Sequence, residues 1–290
     1  MTSLAVSPFT LPAALATADH IGTSTRTAAP LTWYPTNKPE QQAFLTTFRY
    51  FARLAAESRA VHAQATDSAA SHVGWMREHG WDAELNHAHR PGDLFLGAAL
   101  RIAADWSQPG TTYHDGTHDR AVLRHGVFCL YHRQAYANPL VRVDTRRQDY
   151  AFCFQQVSHA PTSTRELVEL AHIMVITGTE LSEQVVLDYP CVDLAARCSA
   201  DHLVGLHSGS YTVDAACEHF RLELDEHGGT AAAAAEIRIS RGFQLQAPRT
   251  VEITGPFIVA VTHASAPRAV MFAAYCDHDS WRRPTRNAVG

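Results

Sequence analysis

The sequence lacks a long apolar run, a cluster of basic residues and any closely spaced pair of cysteines. Its most apolar carboxy-terminal tract, residues 256–275, is broken by His263, Pro267 and Arg268. A bilayer-spanning helix needs roughly 20 consecutive apolar residues, so no membrane span is expected. With a net charge of −5 and no basic run, the chain offers no electrostatic footprint for nucleic acid. The six cysteines, Cys129, Cys153, Cys191, Cys198, Cys217 and Cys276, include no CxxC spacing. They read as reduced thiols of a cytosolic protein rather than a disulfide framework. Also missing are a glycine-rich phosphate loop, a nucleophile elbow and a paired catalytic Cys/His, so no cofactor is expected. The amino-terminal MTSLAVSPFTLPAALATA is apolar and ends in small residues. It has no basic residue ahead of its apolar part, and Pro8 and Pro12 interrupt it. It is expected to remain on the chain, with a cytoplasmic location.

What is present is an ordinary globular composition. The chain has 290 residues, of which 46% are hydrophobic and 18% charged, enough for one large core, and residues 1–290 read as a single domain. Histidine is plentiful at 18 residues, and His114, Asp115, His118 and Asp119 lie close together, with Asn86, His87 and His89 upstream. On a helix, His114 and His118 would share a face and could hold zinc. Gly116 and the preceding Thr111-Thr112-Tyr113 favour a loop instead. Spacing suggests no third ligand, and no metal is expected.

Residues 217–246 carry the strongest pattern. Phe220, Leu222 and Leu224 fall on one parity and Arg221, Glu223 and Asp225 on the other, the period of a half-buried strand. After Gly228-Gly229 the alternation resumes, with Ala231, Ala233, Ala235, Ile237 and Ile239 on one face. Five consecutive alanines are also the best helix formers. Against a helix stand the two preceding glycines and the alternating Glu-Ile-Arg-Ile-Ser that follows.

The stretch ELDEHGGTAAAAAE, residues 223–236, resembles the reactive-loop hinge of serpins, the serine-protease-inhibitor family. In that family an acidic residue, a glycine and a run of small residues precede an exposed bait loop. When a protease cuts the bait, the hinge side enters the central sheet as an added strand, and small side chains are needed to slide between packed strands. The resemblance implies a loop over about residues 228–248, with Glu226, Gly228, Gly229, Thr230, Ala231, Ala233 and Ala235 in the hinge. Taking Gly228 as the hinge glycine turns Glu236 and Arg238 toward water on insertion; taking Gly229 would bury them. The family's loop length puts the cut near Gly242, flanked by Arg241 and Phe243. Arg241 would suit a trypsin-like protease and Phe243 a chymotrypsin-like one. The plain alternative is an exposed loop with no protease partner.

Other stretches resemble the same family. LAVSPFTLPAALATADHIGTSTRT, residues 4–27, is similar to a short strand that ends in Ser-Pro and opens a buried helix, with Ser7 as its cap and Pro8 at its first position. The family places a long helix ahead of this stretch that the sequence does not show. Phe44, Phe48, Phe51, Leu54 and Ala55 recur at helical spacing within residues 38–60, a core stripe. Residues 69–80 are similar to a helix carrying the tryptophan Trp75. Residues 93–106 are similar to a central-sheet strand ending at Trp106, with Leu94, Leu96, Ala98, Leu100 and Ile102 on one face. Pro256, Phe257 and the two apolar segments 258–261 and 270–275 match the family's final strand pair. Between residues 107 and 210 the match is poor. Strand-like pieces at 121–131, 149–157 and 184–194 and a helix at 164–174 are read there from pattern alone.

Glu218 shares the parity of Phe220 and so points inward. By the resemblance it takes the place of a histidine that, with an asparagine (here Ala98) and serines (here Ser7 and Thr10), guards sheet opening. An inward carboxylate among hydroxyls should have a raised pKa. It can be a structural, hydrogen-bonded acid, or with Ser7 and Thr10 an acid/base group. His219 should face the other way, into solvent. The resemblance therefore implies an α+β serpin-like fold, with a large mixed central sheet, two smaller sheets, surrounding helices and an exposed reactive loop. It implies a monomeric suicide-substrate inhibitor of a serine or cysteine protease. The alternative is a serpin-fold protein that binds or transforms a small molecule, with Glu218 as its acid/base.

Overall fold

Helical and alternating spacings sort the chain into four helices and nineteen strands among the described residues of the computed structural model. Those residues are 4–24, 32–36, 38–58, 60–81, 93–100, 102–132, 138–209, 211–229, 249–264 and 266–284. The first elements are β1 (Leu4–Val6), α1 (Thr10–Ser24), α2 (Pro39–Glu57), β2 (Val61–Thr66), α3 (Ala69–Glu78), β3 (Phe95–Leu100) and β4 (Ala104–Asp105). There follow β5 (Thr111–His114), β6 (Asp119–Leu123), β7 (Val127–His132), β8 (Leu140–Asp144), β9 (Tyr150–Gln156), α4 (Thr164–Thr177) and β10 (Gly178–Gln184). Next are β11 (Val186–Pro190), β12 (Val192–Ser199), β13 (His207–Ser208), β14 (Tyr211–Thr212), β15 (Cys217–Leu224) and β16 (Gly228–Gly229). The last are β17 (Thr250–Glu252), β18 (Phe257–His263) and β19 (Ala266–Cys276). None of these helices is long and apolar enough to cross a membrane.

Contacts divide the chain into two units. One comprises Met1–Val6, Ile102–Ala196 and Phe220–Gly290; the other comprises Ser7–Arg101 and Arg197–His219.

The first unit is built on a seven-stranded sheet of order β1-β19-β18-β9-β8-β7-β10. Every pairing in it is antiparallel. Phe257–Thr262 are buried without alternation, the mark of a strand covered on both faces. One cover is α4, whose Leu167, Ala171 and Met174 recur at i, i+4 and i+7 and pack with Leu140, Ile258, Ala260 and Val270. A four-stranded sheet, β17-β11-β6-β5, contains a parallel pairing, β11 with β17. At its centre the Arg120 guanidinium, 4% exposed, donates from Nε to Asp188 Oδ1 at 2.8 Å and from Nη2 to the Ile253 carbonyl at 3.0 Å. The expected strand at 184–194 is thus two strands, β11 and β12, parted at Cys191.

In the second unit α1 and α2 close over a cluster of Leu15, Ala18, Trp33, Ala200, Leu203 and Leu206, with Phe44 and Phe48 of α2 packed against it. Two expectations are corrected here. The helix begins at Thr10 rather than at Pro8, because Ser7 Oγ accepts the Phe9 amide (3.3 Å) in a turn ahead of it. Strand β3, antiparallel to β2, is covered on both faces rather than one. Leu94 and Leu96 pack on the α1 and α2 cluster, while Gly97 meets Trp75 and His72 of α3 so closely that a Cβ would lie 2.9 Å from the indole. Gly97 and Ala99, of the parity opposite to Leu96, are therefore the most buried residues of the strand.

Candidate functional site

Strand β15 keeps its expected alternation: Phe220, Leu222 and Leu224 are buried and Arg221 is exposed. The alternation stops at Asp225, which belongs by parity to the solvent face yet is only 4% exposed. Its carboxylate folds back on its own chain. Oδ1 accepts the His227 amide at 2.8 Å and the Gly228 amide at 3.2 Å, and the Asp225 amide donates to the Gly228 carbonyl at 3.2 Å. This Asx turn reverses the chain. Gly228 and Gly229 then run antiparallel to β4, opposite Asp105 and Ala104 respectively. Gly228 has φ +152°, and a Cβ on it would lie 2.2 Å from the Ala104 carbonyl oxygen, so only glycine fits.

Trp106 holds this turn from outside. It is 1% exposed, and its indole Nε1 donates to the Asp225 carbonyl at 2.8 Å. The Tyr189 hydroxyl donates to the same carbonyl at 2.7 Å. The Trp106 amide donates to the His227 carbonyl (3.0 Å) and the Gly110 amide to the Glu226 carbonyl (2.6 Å). The Glu226 side chain is buried and pairs with Arg283 and with His227 Nε2 (3.1 Å). Burial, with Glu226 and Asp225 adding to it, pushes the neighbouring Cys191 thiol up to about 12, so it is inert as a nucleophile near neutral pH. The roles of Tyr189 and Arg283 have no local sequence signal. That of Asp225 does, since Asp three residues before Gly is an Asx-turn spacing.

Of the remaining hinge and bait residues, Thr230, Ala231, Ala233, Ala235, Arg241, Gly242 and Phe243 lie outside the described residues, as do Asn86, His87 and His89.

In the second unit the structure brings Glu218, Thr10 and Ser7 together. Thr10 Oγ1 donates to Glu218 Oε1 and lies 3.2 Å from the Ser7 carbonyl oxygen. A hydroxyl has one proton for these two acceptors. With Glu218 protonated, the carboxyl donates to Thr10 and Thr10 donates to Ser7, so each oxygen is served. Burial pushes the Glu218 carboxyl up to about 7, the Thr10 hydroxyl pulling the other way. His219 is half-buried rather than solvated. Its Nε2 lies 3.8 Å from Cys217 Sγ, its ring lies 6.0 Å from that of Trp81, and burial, with Arg197 adding, lowers its pKa.

The histidine motif forms the hairpin turn between β5 and β6, not a helix. Asp115 Oδ1 accepts the Thr117 and His118 amides, each at 2.8 Å, and His114 Nδ1 lies 3.1 Å from Asp119 Oδ1. Among the described residues no group of three or more His, Cys, Asp or Glu side chains is placed to hold a metal. In the first unit a cleft of about 240 Å³ opens between α4 and the β18–β19 turn, lined by Arg142, Tyr150, Val175, Ile176, His263 and Arg268 among others.

No protein-family model matches the chain, and no curated protein matches it in sequence. Solved structures match it in fold. The chain is similar to thyroxine-binding globulin complexed with thyroxine, at a TM-score of 0.56 and 14% identity, over 94% of this chain and 92% of that one. It is also similar to human glycosylated kallistatin, at a TM-score of 0.52 and 12% identity over 96% and 100%. The fold is that of the serpins. Mouse protein-Z dependent protease inhibitor matches as well, at a TM-score of 0.53 and 12% identity over 95% and 90% of the two chains. Trp106 directly follows β4, the strand with which Gly228 and Gly229 pair, and Pro256 and Phe257 open β18 of the seven-stranded sheet. Phe257 is fully buried.

Proposed function

We propose that the chain is a serpin-type suicide-substrate inhibitor of a serine or cysteine protease. The reading is carried by the pairing of Gly228-Gly229 with β4. The chain leaves β15 through a clamped turn and sets out beside β4 as a strand, so a cut loop has only to extend a ladder that already exists. Of the similar structures, one is named as a protease inhibitor. The small residues Thr230, Ala231, Ala233 and Ala235 would follow into the sheet. Arg241, Gly242 and Phe243 would present the bond to be cut, to a trypsin-like protease at Arg241 or a chymotrypsin-like one at Phe243. Nicking the loop and following thermal unfolding tests this. A large rise in melting temperature is expected, with Gly229→Arg abolishing both the rise and protease trapping. An unchanged melting temperature in the nicked wild-type protein would refute it.

A second reading, a protein that binds or transforms a small molecule, is favoured by two observations. Glu218 is an acid poised near neutral pH, as proton transfer requires. The cleft beside α4 combines Arg142, Arg268 and His263 with the apolar Val175 and Ile176, and the similar thyroxine-binding globulin holds thyroxine. Under this reading nicking leaves thermal unfolding unchanged, while Glu218→Gln abolishes turnover and Arg268→Ala abolishes binding.

A further inference from the structure

Glu226 is placed where a carboxylate is costly. Its side chain is 8% exposed, and Oε2 is buried without a hydrogen-bond partner. Oε1 faces Arg283 Nη2 and His227 Nε2. Of these only the guanidinium is charged at every accessible pH. The carbonyl of the same residue accepts the Gly110 amide, and its chain neighbours Asp225 and His227 carry the bonds to Trp106 and Tyr189. A carboxylate left here without Arg283 would turn toward water, and its backbone is part of the turn that aims Gly228 at β4.

Arg283 is brought to this position by the segment that follows β19. Asp277 leads into a short turn over His278–Ser280, in which Ser280 Oγ donates to the Asp277 carbonyl at 2.7 Å. Trp281 is buried, its ring 4.0 Å from His278, 5.3 Å from His118 and 6.4 Å from Phe257. Arg282 Nε donates to the Asp193 carbonyl at 3.2 Å and lies 3.7 Å from its carboxylate. The segment is therefore anchored on the β5–β6 turn, β12 and β18, and the next side chain, Arg283, meets Glu226.

We propose that Arg283 is a positioning residue for loop insertion. Through Glu226 it holds the Asp225–Gly228 turn in the shape from which the cut loop extends along β4, and so sets how fast insertion begins. This rests on the inhibitor reading. The carboxy-terminal segment after β19 is then part of the trapping machinery, although its described residues, 277–284, lie in neither the loop nor β4.

The test measures the rate at which thermal stability is gained after the loop is nicked, and the number of inhibitor molecules consumed per protease trapped. If nicked wild-type protein gains no stability, the inhibitor reading itself fails. If it does, Arg283→Gln should insert more slowly on the order of tenfold, the usual scale for stranding one member of a buried pair after discounting for the half-exposed arginine. Its consumption ratio should rise in step. Arg283→Lys should recover part of the rate. Glu226→Gln, alone or combined with Arg283→Gln, should stay within about threefold of wild type, because no buried unpaired charge remains: in the single variant the guanidinium left over is half-exposed to water. Wild-type insertion rates in Arg283→Gln, or equal slowing in the double variant, would overturn the proposal. If Arg283→Gln does not fold, a slowed rate in Glu226→Gln equal to that of a Trp106→Phe control would overturn it equally.

Discussion

The two ends of strand β15 hold carboxylates of different kinds, Asp225 buried and Glu218 half-buried. Past its carboxy-terminal end, Asp225 is enclosed by donors: two backbone amides reach its oxygen, and an indole and a phenol hold its carbonyl. At its amino-terminal end Glu218 has one hydroxyl beside it, and burial raises its pKa to about 7. A buried carboxylate surrounded by N–H groups is a structural clasp. One that is half-buried with a single shared proton is a titrating group near neutral pH. The strand thus runs from a site whose protonation can change to a turn whose geometry is closed by hydrogen bonds.

The comparison predicts effects of decreasing size. Gly228→Val should cost about 3 kcal/mol or more, since it adds a side chain at a positive φ and against the Ala104 carbonyl. Denaturant unfolding checks this, and a variant as stable as wild type would remove the clasp from the argument. At the other end the sign is opposite in character. Glu218 has a folded pKa raised from 4.5 to about 7, so its contribution is fully present below pH 4.5 and is lost as pH rises through 7. Stability should fall by up to about 3 kcal/mol across that window, and Glu218→Gln should flatten the slope and be the more stable form at pH 8. A pH-independent difference between the two proteins would contradict it. Trp106→Phe keeps the ring but removes the bond to the Asp225 carbonyl, a loss of about 1 to 2 kcal/mol by the same unfolding measurement. The smallest change is Thr10→Val, worth about 1 kcal/mol, which also takes the one donor from ionised Glu218. Its titration, followed by carboxyl-carbon NMR, should move further up. A downward move would show that Thr10 does not stabilise the ionised form.

Much of this was legible from pattern. The alternation of Phe220, Leu222 and Leu224 located β15, and the helical stripe of α2 placed Phe44 and Phe48 at their cluster. Glu218 was inward by parity alone, and its shifted pKa follows from that position. The histidine-rich turn could be told from a helix by Gly116. Strand β3 misled because a single alternation cannot reveal that α3 covers the second face, which lets Gly97 and Ala99 be the tightest positions. The start of α1 shifted by two residues because Ser7 caps a turn before the helix rather than the helix itself.

Local periodicity settled which segments are strands or helices and which of their faces turn inward, because those depend on neighbours two to four residues apart. The double glycine was also readable, since Gly228 is a requirement of backbone shape. The clasp at Asp225 and the meeting of Glu226 with Arg283, 57 positions apart in the chain, were not. Such contacts join side chains whose own sequence surroundings are unremarkable, and only packing decides which buried charge finds which partner.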